Sequence, residues 1–176
     1  MMGKILAGSI ILTSVVAAVA LYYLQVYAYY VEVDLRDDEP AVVMTSLVTG
    51  APEPIIADDF SGIDSDSSPL RYRACFTTPH SQAMLTETYE IYDEAVPLVA
   101  PNWFDCFNAT EVGEALETGQ AIAFLGEKDV IYGFDRIVAV MADGRGFVWH
   151  QLNDCGADVF DGKPLPEGCP PVPERN

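Results

Sequence analysis

From Ile5 to Val31 the chain runs for 27 residues without an Asp, Glu, Lys, Arg or His. At about 1.5 Å of rise per helical residue such a run reaches roughly 40 Å, more than the roughly 30 Å hydrocarbon core of a bilayer requires. That feature divides the 176 residues into an N-terminal membrane segment and a remainder large enough for one ordinary domain. Lys4 and the terminal amine precede the run, and Glu32, Asp34, Asp37, Asp38 and Glu39 follow it. The positive-inside rule therefore predicts a cytoplasmic N-terminus. Ala18-Val19-Ala20 is an acceptable signal-peptidase site. A signal peptide turns polar close to its cleavage site, whereas this chain stays apolar to Val31, so the reading is an uncleaved anchor.

Tyr22, Tyr23, Tyr27, Tyr29 and Tyr30 crowd the exit end of the run, where a phenol ring can keep its body in hydrocarbon and its hydroxyl among headgroups. Ala7, Ser14, Ala18 and Gln25 fall at helical spacings of seven, four and seven. They give one side of the helix small residues and an amide, a stripe on which a neighbouring helix could pack. The plainer alternative is that small residues are common in membrane helices and that Gln25 reaches headgroup water.

All four cysteines, Cys75, Cys106, Cys155 and Cys169, lie beyond the membrane run, with no Cys-x-x-Cys spacing among them. Thioredoxin-like redox chemistry, covalent haem and zinc ribbons lose their usual signatures. An even number of cysteines in an exported domain points to two disulfides. Three connectivities are possible, and Cys75–Cys106 with Cys155–Cys169 is favoured, because the second pair would close a loop containing Gly156, Gly162, Pro164, Pro166 and Gly168 that little else could order.

Beyond Val31, 27 acidic residues face 8 basic ones, a net charge of −19. Nucleic acid and anionic lipid are poor partners for such a domain, and a basic protein or a cation is the partner its field attracts. Residues 32–66 carry a net charge of −9 and residues 87–117 a net charge of −8. Either the acids serve only to keep the surface solvated, or they form a docking face, with Glu32, Asp34, Asp37, Asp38 and Glu39 held against the membrane by the anchor.

The pattern divides the chain into a membrane anchor at 1–31, an acidic strand and irregular connection at 32–70, a core at 71–154 and a disulfide-closed, Pro-rich tail at 155–176. Ala41–Val48 and Leu70–Phe76 read as strands, the latter with Arg71 and Arg73 on one face. Pro79 opens a short helix through about Thr86, and Thr110 caps a helix that ends at Gly119. Gln120–Leu125, Asp135–Met141 and Gly146–Leu152 are β-type, and the Asp143-Gly144 pair joins the last two as a hairpin. The expected class is α+β: one transmembrane helix followed by a small disulfide-bonded domain with a mostly antiparallel sheet and one or two helices.

Chemistry is sparsely signalled. The chain has two histidines. His80 lies at the start of the short helix, and His150 lies in a strand. Strand alternation puts His150 opposite Trp149, so a core Trp149 implies a surface His150. No His-x-x-x-His spacing supports a metal role. Asp64-Ser65-Asp66-Ser67-Ser68 is spaced like the start of a calcium loop, but Pro69 stands where the turn glycine belongs and Cys75 where the bidentate glutamate belongs. No Gly-x-Ser-x-Gly and no Gly-rich phosphate loop occurs, so no catalytic residue, metal or cofactor is assigned.

Six segments carry a resemblance: Met2-Gly3-Lys4-Ile5-Leu6-Ala7-Gly8, Tyr22-Tyr23-Leu24-Gln25-Val26-Tyr27, Arg71-Tyr72-Arg73-Ala74-Cys75-Phe76, Asn102-Trp103-Phe104-Asp105-Cys106-Phe107, Trp149-His150-Gln151 and Pro166-Glu167-Gly168-Cys169-Pro170. Together they resemble a family of single-span alphaproteobacterial inner-membrane proteins with an acidic periplasmic domain of unknown function. The resemblance implies a bacterial inner membrane and a periplasmic domain, and carries no catalytic residue with it.

The functional expectation is a non-catalytic accessory or assembly subunit of a larger respiratory or photosynthetic membrane complex. The helix would join the complex, and the acidic face would meet a basic carrier such as a cytochrome c. The competing expectation is a periplasmic cation-binding module or enzyme using His80, His150 and the acidic loop.

Overall fold

The computed structural model describes residues 2–33 and 40–173. Helix α1 (Met2–Tyr23) continues into one π-helical stretch, Leu24–Ala28. The apolar helical span Gly3–Ala28 has 26 residues and a mean hydropathy of 2.3, which marks it as a membrane anchor or signal sequence. It ends three residues before the charge-free run does, because Tyr29 and Tyr30 lie beyond the helix and Val31 belongs to the next element. Strand β1 (Val31–Glu32) turns away from the helix and pairs with β4 (Asp58–Asp64).

Between them lies a small hairpin of β2 (Val43–Thr45) and β3 (Pro52–Pro54). After β4 come a 3-10 turn (Pro69–Arg71), β5 (Arg73–Thr77), α2 (Gln82–Thr88), α3 (Ala109–Glu117), β6 (Ala121–Ile131), β7 (Phe134–Met141), β8 (Arg145–Leu152) and α4 (Asp154–Phe160). Six strands form one antiparallel sheet in the order β1-β4-β5-β8-β7-β6. The class is α+β with an N-terminal apolar helix.

Local chemistry explains most element ends. The β7–β8 hairpin turns at Gly144, whose φ of +89° suits a residue without a Cβ. Helix α3 is capped by Asn108, whose Oδ1 accepts from the N–H groups of Thr110 and Glu111. The cap therefore lies two residues before the expected Thr110, because the carboxamide satisfies two orphan donors there. Ser81 caps α2 in the same way, leaving Pro79 and His80 outside the helix that was expected to begin with them.

Both faces of the sheet are covered, and this decides where the core sits. On one face Ile137, Ala139, Cys75, Phe147 and Trp149 pack against Val112 and Ala115 of α3 and against Phe104 and Phe107. On the other, Ala74, Phe76, Phe124, Val138, Val140 and Val148 pack against Met44 of β2, Leu85 of α2, Ile55 and Tyr89. Gly146 is directly under the Phe76 ring, which a Cβ there would strike. Cys75 is bonded to Cys106, tying β5 to the loop before α3, and Cys155 to Cys169, closing the tail onto α4.

Two covered faces overturn the expectation for His150. It is 4% exposed and Trp149 is 0% exposed, because alternation sends the two side chains to opposite faces and each face has its own layer. The pairing of Arg71 with Arg73 on one strand face is corrected as well. Arg71 ends the 3-10 turn, while Arg73 opens the strand and is 3% exposed. Strand β4 and helix α4 form in segments expected to be irregular. Asp58–Asp64 has weak intrinsic β preference and becomes a strand because β5 supplies its hydrogen-bonding partners.

Candidate functional site

The end of the sheet where the helix enters gathers most of the buried charge. Arg73 projects from the first position of β5 onto the face that carries Trp149 and Phe107, with its guanidinium 5.7 Å from the Phe107 ring centre. Among the described residues it has no carboxylate partner. Instead Nε donates to Leu98 O (2.8 Å), Nη1 to the carbonyls of Leu70 and Tyr72, and Nη2 to Val99 O (3.1 Å). Burial pushes its pKa down to about 10, which still leaves it charged at neutral pH.

On the opposite face, Tyr72 stacks on His150 with ring centres 4.6 Å apart, and Arg136 lies over the Tyr72 ring at 5.0 Å. Arg136 Nε donates to His150 Nε2 (3.2 Å), and His150 Nδ1 is 2.9 Å from Pro69 O. A guanidinium can only donate, so His150 accepts at Nε2 and carries its proton on Nδ1. Burial, reinforced by the Arg136 charge, pushes its pKa down to about 4, and at neutral pH the ring is uncharged. Asp64, at the end of β4, is pushed up mainly by burial.

This geometry gives His150 a packing role with both ring nitrogens engaged. His80 is at the other end of the strands, two residues after Thr78, whose N–H bonds to Gly144 O in the β7–β8 turn. The structure does not bring the two histidines together. Among the described residues no group of three or more His, Cys, Asp or Glu side chains is arranged to hold a metal ion. In the calcium-like segment Asp64 Oδ1 accepts from the Ser65 N–H, and the Ser65 and Ser67 hydroxyls bond each other.

Beside the edge strand β6 lies a cleft of about 630 Å³ whose rim includes Glu90, Asp93, Glu94, Asp154, Glu167 and Lys128, with Asp135 at its base. The Cys155–Cys169 bond and Pro166 form one wall. Asp135 is held by Asn153 Nδ2 (2.8 Å) and by the N–H of Asp129 (2.9 Å), while Asp129 Oδ1 accepts from Gly133 N and Asn153 Nδ2. Tyr92, also in the cleft, has its hydroxyl pKa pushed up to about 12 by burial, by the charges of Asp135, Asp154 and Glu94, and by its hydrogen bond to Asp135. The cleft thus presents negative charge on a well-braced base. Sequence reasoning did not find it, because its acids come from four separate stretches of chain. The one local signal was Asp135, a carboxylate inside an otherwise apolar strand.

The predicted helix stripe divides in two. Ala7, Ser14 and Ala18 are exposed along α1. Gln25 is engaged by the domain: Arg71 Nη2 donates to its Oε1 (2.8 Å), and Arg71 Nη1 lies 3.4 Å from its backbone carbonyl. One residue on, Trp103 Nε1 donates to Val26 O (2.6 Å), with its ring stacked on Tyr27 and edge-on to Tyr30. The π-helical stretch leaves the Val26 carbonyl open to this side-chain donor. Of the predicted docking acids, Glu32 is exposed in β1, and Asp34, Asp37, Asp38 and Glu39 lie outside the described residues.

A family model described as a family of unknown function (DUF6446) matches residues 42–170, covering β2 to α4 and both disulfides. No curated protein and no solved structure matches the chain.

Proposed function

We propose, from the premise that the chain belongs to the DUF6446 family of unknown function, that it is a non-catalytic, single-pass accessory or assembly subunit of a larger bacterial inner-membrane complex. Its N-terminus is cytoplasmic, its domain periplasmic, and its acidic surface receives a basic partner. A respiratory or photosynthetic electron-transfer complex with a carrier such as a cytochrome c fits this charge. One observation carries the reading. The domain is fastened to the end of its helix by the Arg71–Gln25 and Trp103–Val26 hydrogen bonds, so a given face is held at a set height and angle to the bilayer. Fixed orientation is what a docking surface needs. The acidic cleft supplies a second carboxylate surface on which lysines of a partner can rest. Against the cation-binding or enzymatic alternative stands His150, whose ring nitrogens are both committed to Arg136 and Pro69.

Purification in mild detergent tests the subunit reading. The protein should co-migrate with a large complex, and Ser14→Leu with Ala18→Leu should release it, since close helix approach needs small side chains. Replacing Asp34, Asp37 and Asp38 with Asn should weaken capture of a basic periplasmic protein and flatten its decline with salt. A protein that always runs alone in detergent and captures no basic partner at low salt overturns the reading. Intact mass of membrane-extracted protein distinguishes the anchor from a cleaved leader.

A further inference from the structure

Residues 95–101, Ala-Val-Pro-Leu-Val-Ala-Pro, are seven consecutive apolar residues outside any helix or strand. Val96 is 60% exposed and Val99 79% exposed, in a domain whose other surface is crowded with carboxylates. Three backbone groups of this loop point the other way. The Val96 N–H donates to Gln151 Oε1 (2.7 Å), and the same amide donates back to Glu94 O (2.8 Å). The carbonyls of Leu98 and Val99 are taken by Arg73. Pro97 and Pro101 have no N–H to satisfy. With the Val96 N–H and the Leu98 and Val99 carbonyls bonded inward and the Val96 and Val99 side chains turned outward, the loop offers apolar groups to a low-dielectric layer and fewer of the unpaired amides that are costly there.

Its position matches. Two residues after Pro101, the Trp103 indole holds the Val26 carbonyl at the helix exit and stacks on Tyr27. Strand registers put Glu32, Ile63, Arg73, Trp149 and Ile137 side by side across the sheet, so the loop bound by Arg73 and Gln151 belongs to the end of the sheet from which the helix leaves. At the opposite end the β7–β8 turn exposes Asp143 and Arg145.

We propose that the Ala95–Pro101 loop is a second membrane contact. Val96 and Val99 enter the boundary between headgroups and acyl chains next to the helix, and the domain lies on the bilayer instead of hanging from it. The occupant of this apolar surface is lipid, because the loop is continuous with the helix exit through Trp103 and Tyr27. The lipid is zwitterionic, because Asp93 and Glu94 flank the loop and repel anionic headgroups. The buried Arg73 acquires a reason: it supplies donors to carbonyls that water does not reach there. The proposal rests on the helix being a retained anchor.

The test uses the intact chain in phosphatidylcholine vesicles containing a trace of lipid with an acyl-chain diazirine. After photolysis, reduction and cleavage at glutamate, adducts are mapped by peptide mass. Adducts should appear in the helix and in the peptide Ala95–Glu111, and be absent from the β7–β8 turn. Val96→Asp with Val99→Asp should abolish labelling of that peptide and leave the helix labelled. Replacing phosphatidylcholine with phosphatidylglycerol should reduce loop labelling alone. Labelling of the helix with none in Ala95–Glu111 overturns the membrane contact and leaves the anchor standing, whether the loop faces water or is covered by protein. No labelling of the helix overturns the anchor and the contact together.

Discussion

The two ends of the sheet handle charge in opposite ways. At the β7–β8 turn, Arg145 reaches Asp143 and Glu111 at 2.8 Å each, with all three side chains about half exposed. At the helix end, Arg73 and His150 are buried and bonded to backbone carbonyls and, for His150, to a guanidinium. Exposed pairs exchange water for a partner at little net gain. Buried groups with no alternative partner fix the position of whatever supplies their bonds, here the 95–101 loop and the Pro69–Arg71 turn. One end is solvated, and the other is mechanically tied to the helix.

The largest contrast should come from Arg73. Arg73→Ala leaves the carbonyls of Leu98, Val99, Leu70 and Tyr72 without this donor, and at about 1 kcal/mol or more for each group left buried and unpaired the loss is on the order of 3 kcal/mol or more. Arg73→Lys should recover only part, since an ammonium cannot span carbonyls on two segments. Urea midpoints in detergent solution measure both. If Arg73→Ala costs no more than Arg145→Ala, the distinction between the two ends fails.

Next in size is acid sensitivity. His150 has its pKa pushed down to about 4 in the folded chain, against about 6.5 unfolded. Between those values the unfolded state binds the extra proton, so stability falls as pH drops from about 6.5 toward 4, by roughly 3 kcal/mol for an unassisted group. In His150→Gln that slope should flatten. A wild-type stability that is level across the interval removes the buried neutral imidazole from the account.

Arg71→Ala and Gln25→Ala should each cost about 1 kcal/mol, the scale of a single hydrogen bond, and should accelerate proteolysis at Tyr29–Tyr30. Unchanged cleavage means that Trp103 alone fixes the domain. Smallest of all, Asp143→Asn should cost less than about 1 kcal/mol. The Arg145 hydrogen bond holds the Asp143 carboxyl below its ordinary range. Its contribution is therefore present above the unfolded value and lost as pH falls through the folded one. Double-mutant cycles at the turn measure it.

Elements with a complete local signature were legible before any coordinates. The apolar run, the β7–β8 hairpin and the Gly119 end of α3 needed only neighbours within a few residues. Where several residue types could do the same work, the boundary moved, as with Asn108 taking the cap from Thr110. The candidate site was far less legible. Gln25 reads as part of a small-residue stripe until Arg71, 46 residues away, is brought beside it. His150 reads as exposed until a second layer covers its face. The acidic cleft assembles only when α4 and the disulfide-closed tail fold back against β6.

The sequence by itself determined that this chain has one helix able to cross a bilayer, an acidic domain with four cysteines beyond it and an antiparallel hairpin near its end, because hydropathy, charge and turn chemistry act over a few residues. Only the tertiary structure decided that both sheet faces are buried, that a buried arginine holds an apolar loop through its backbone carbonyls, and that helix and domain are joined by Arg71 and Trp103. These rest on hydrogen bonds and packing between segments tens of residues apart, and a buried polar group takes its partner from whatever the fold places within about 3 Å.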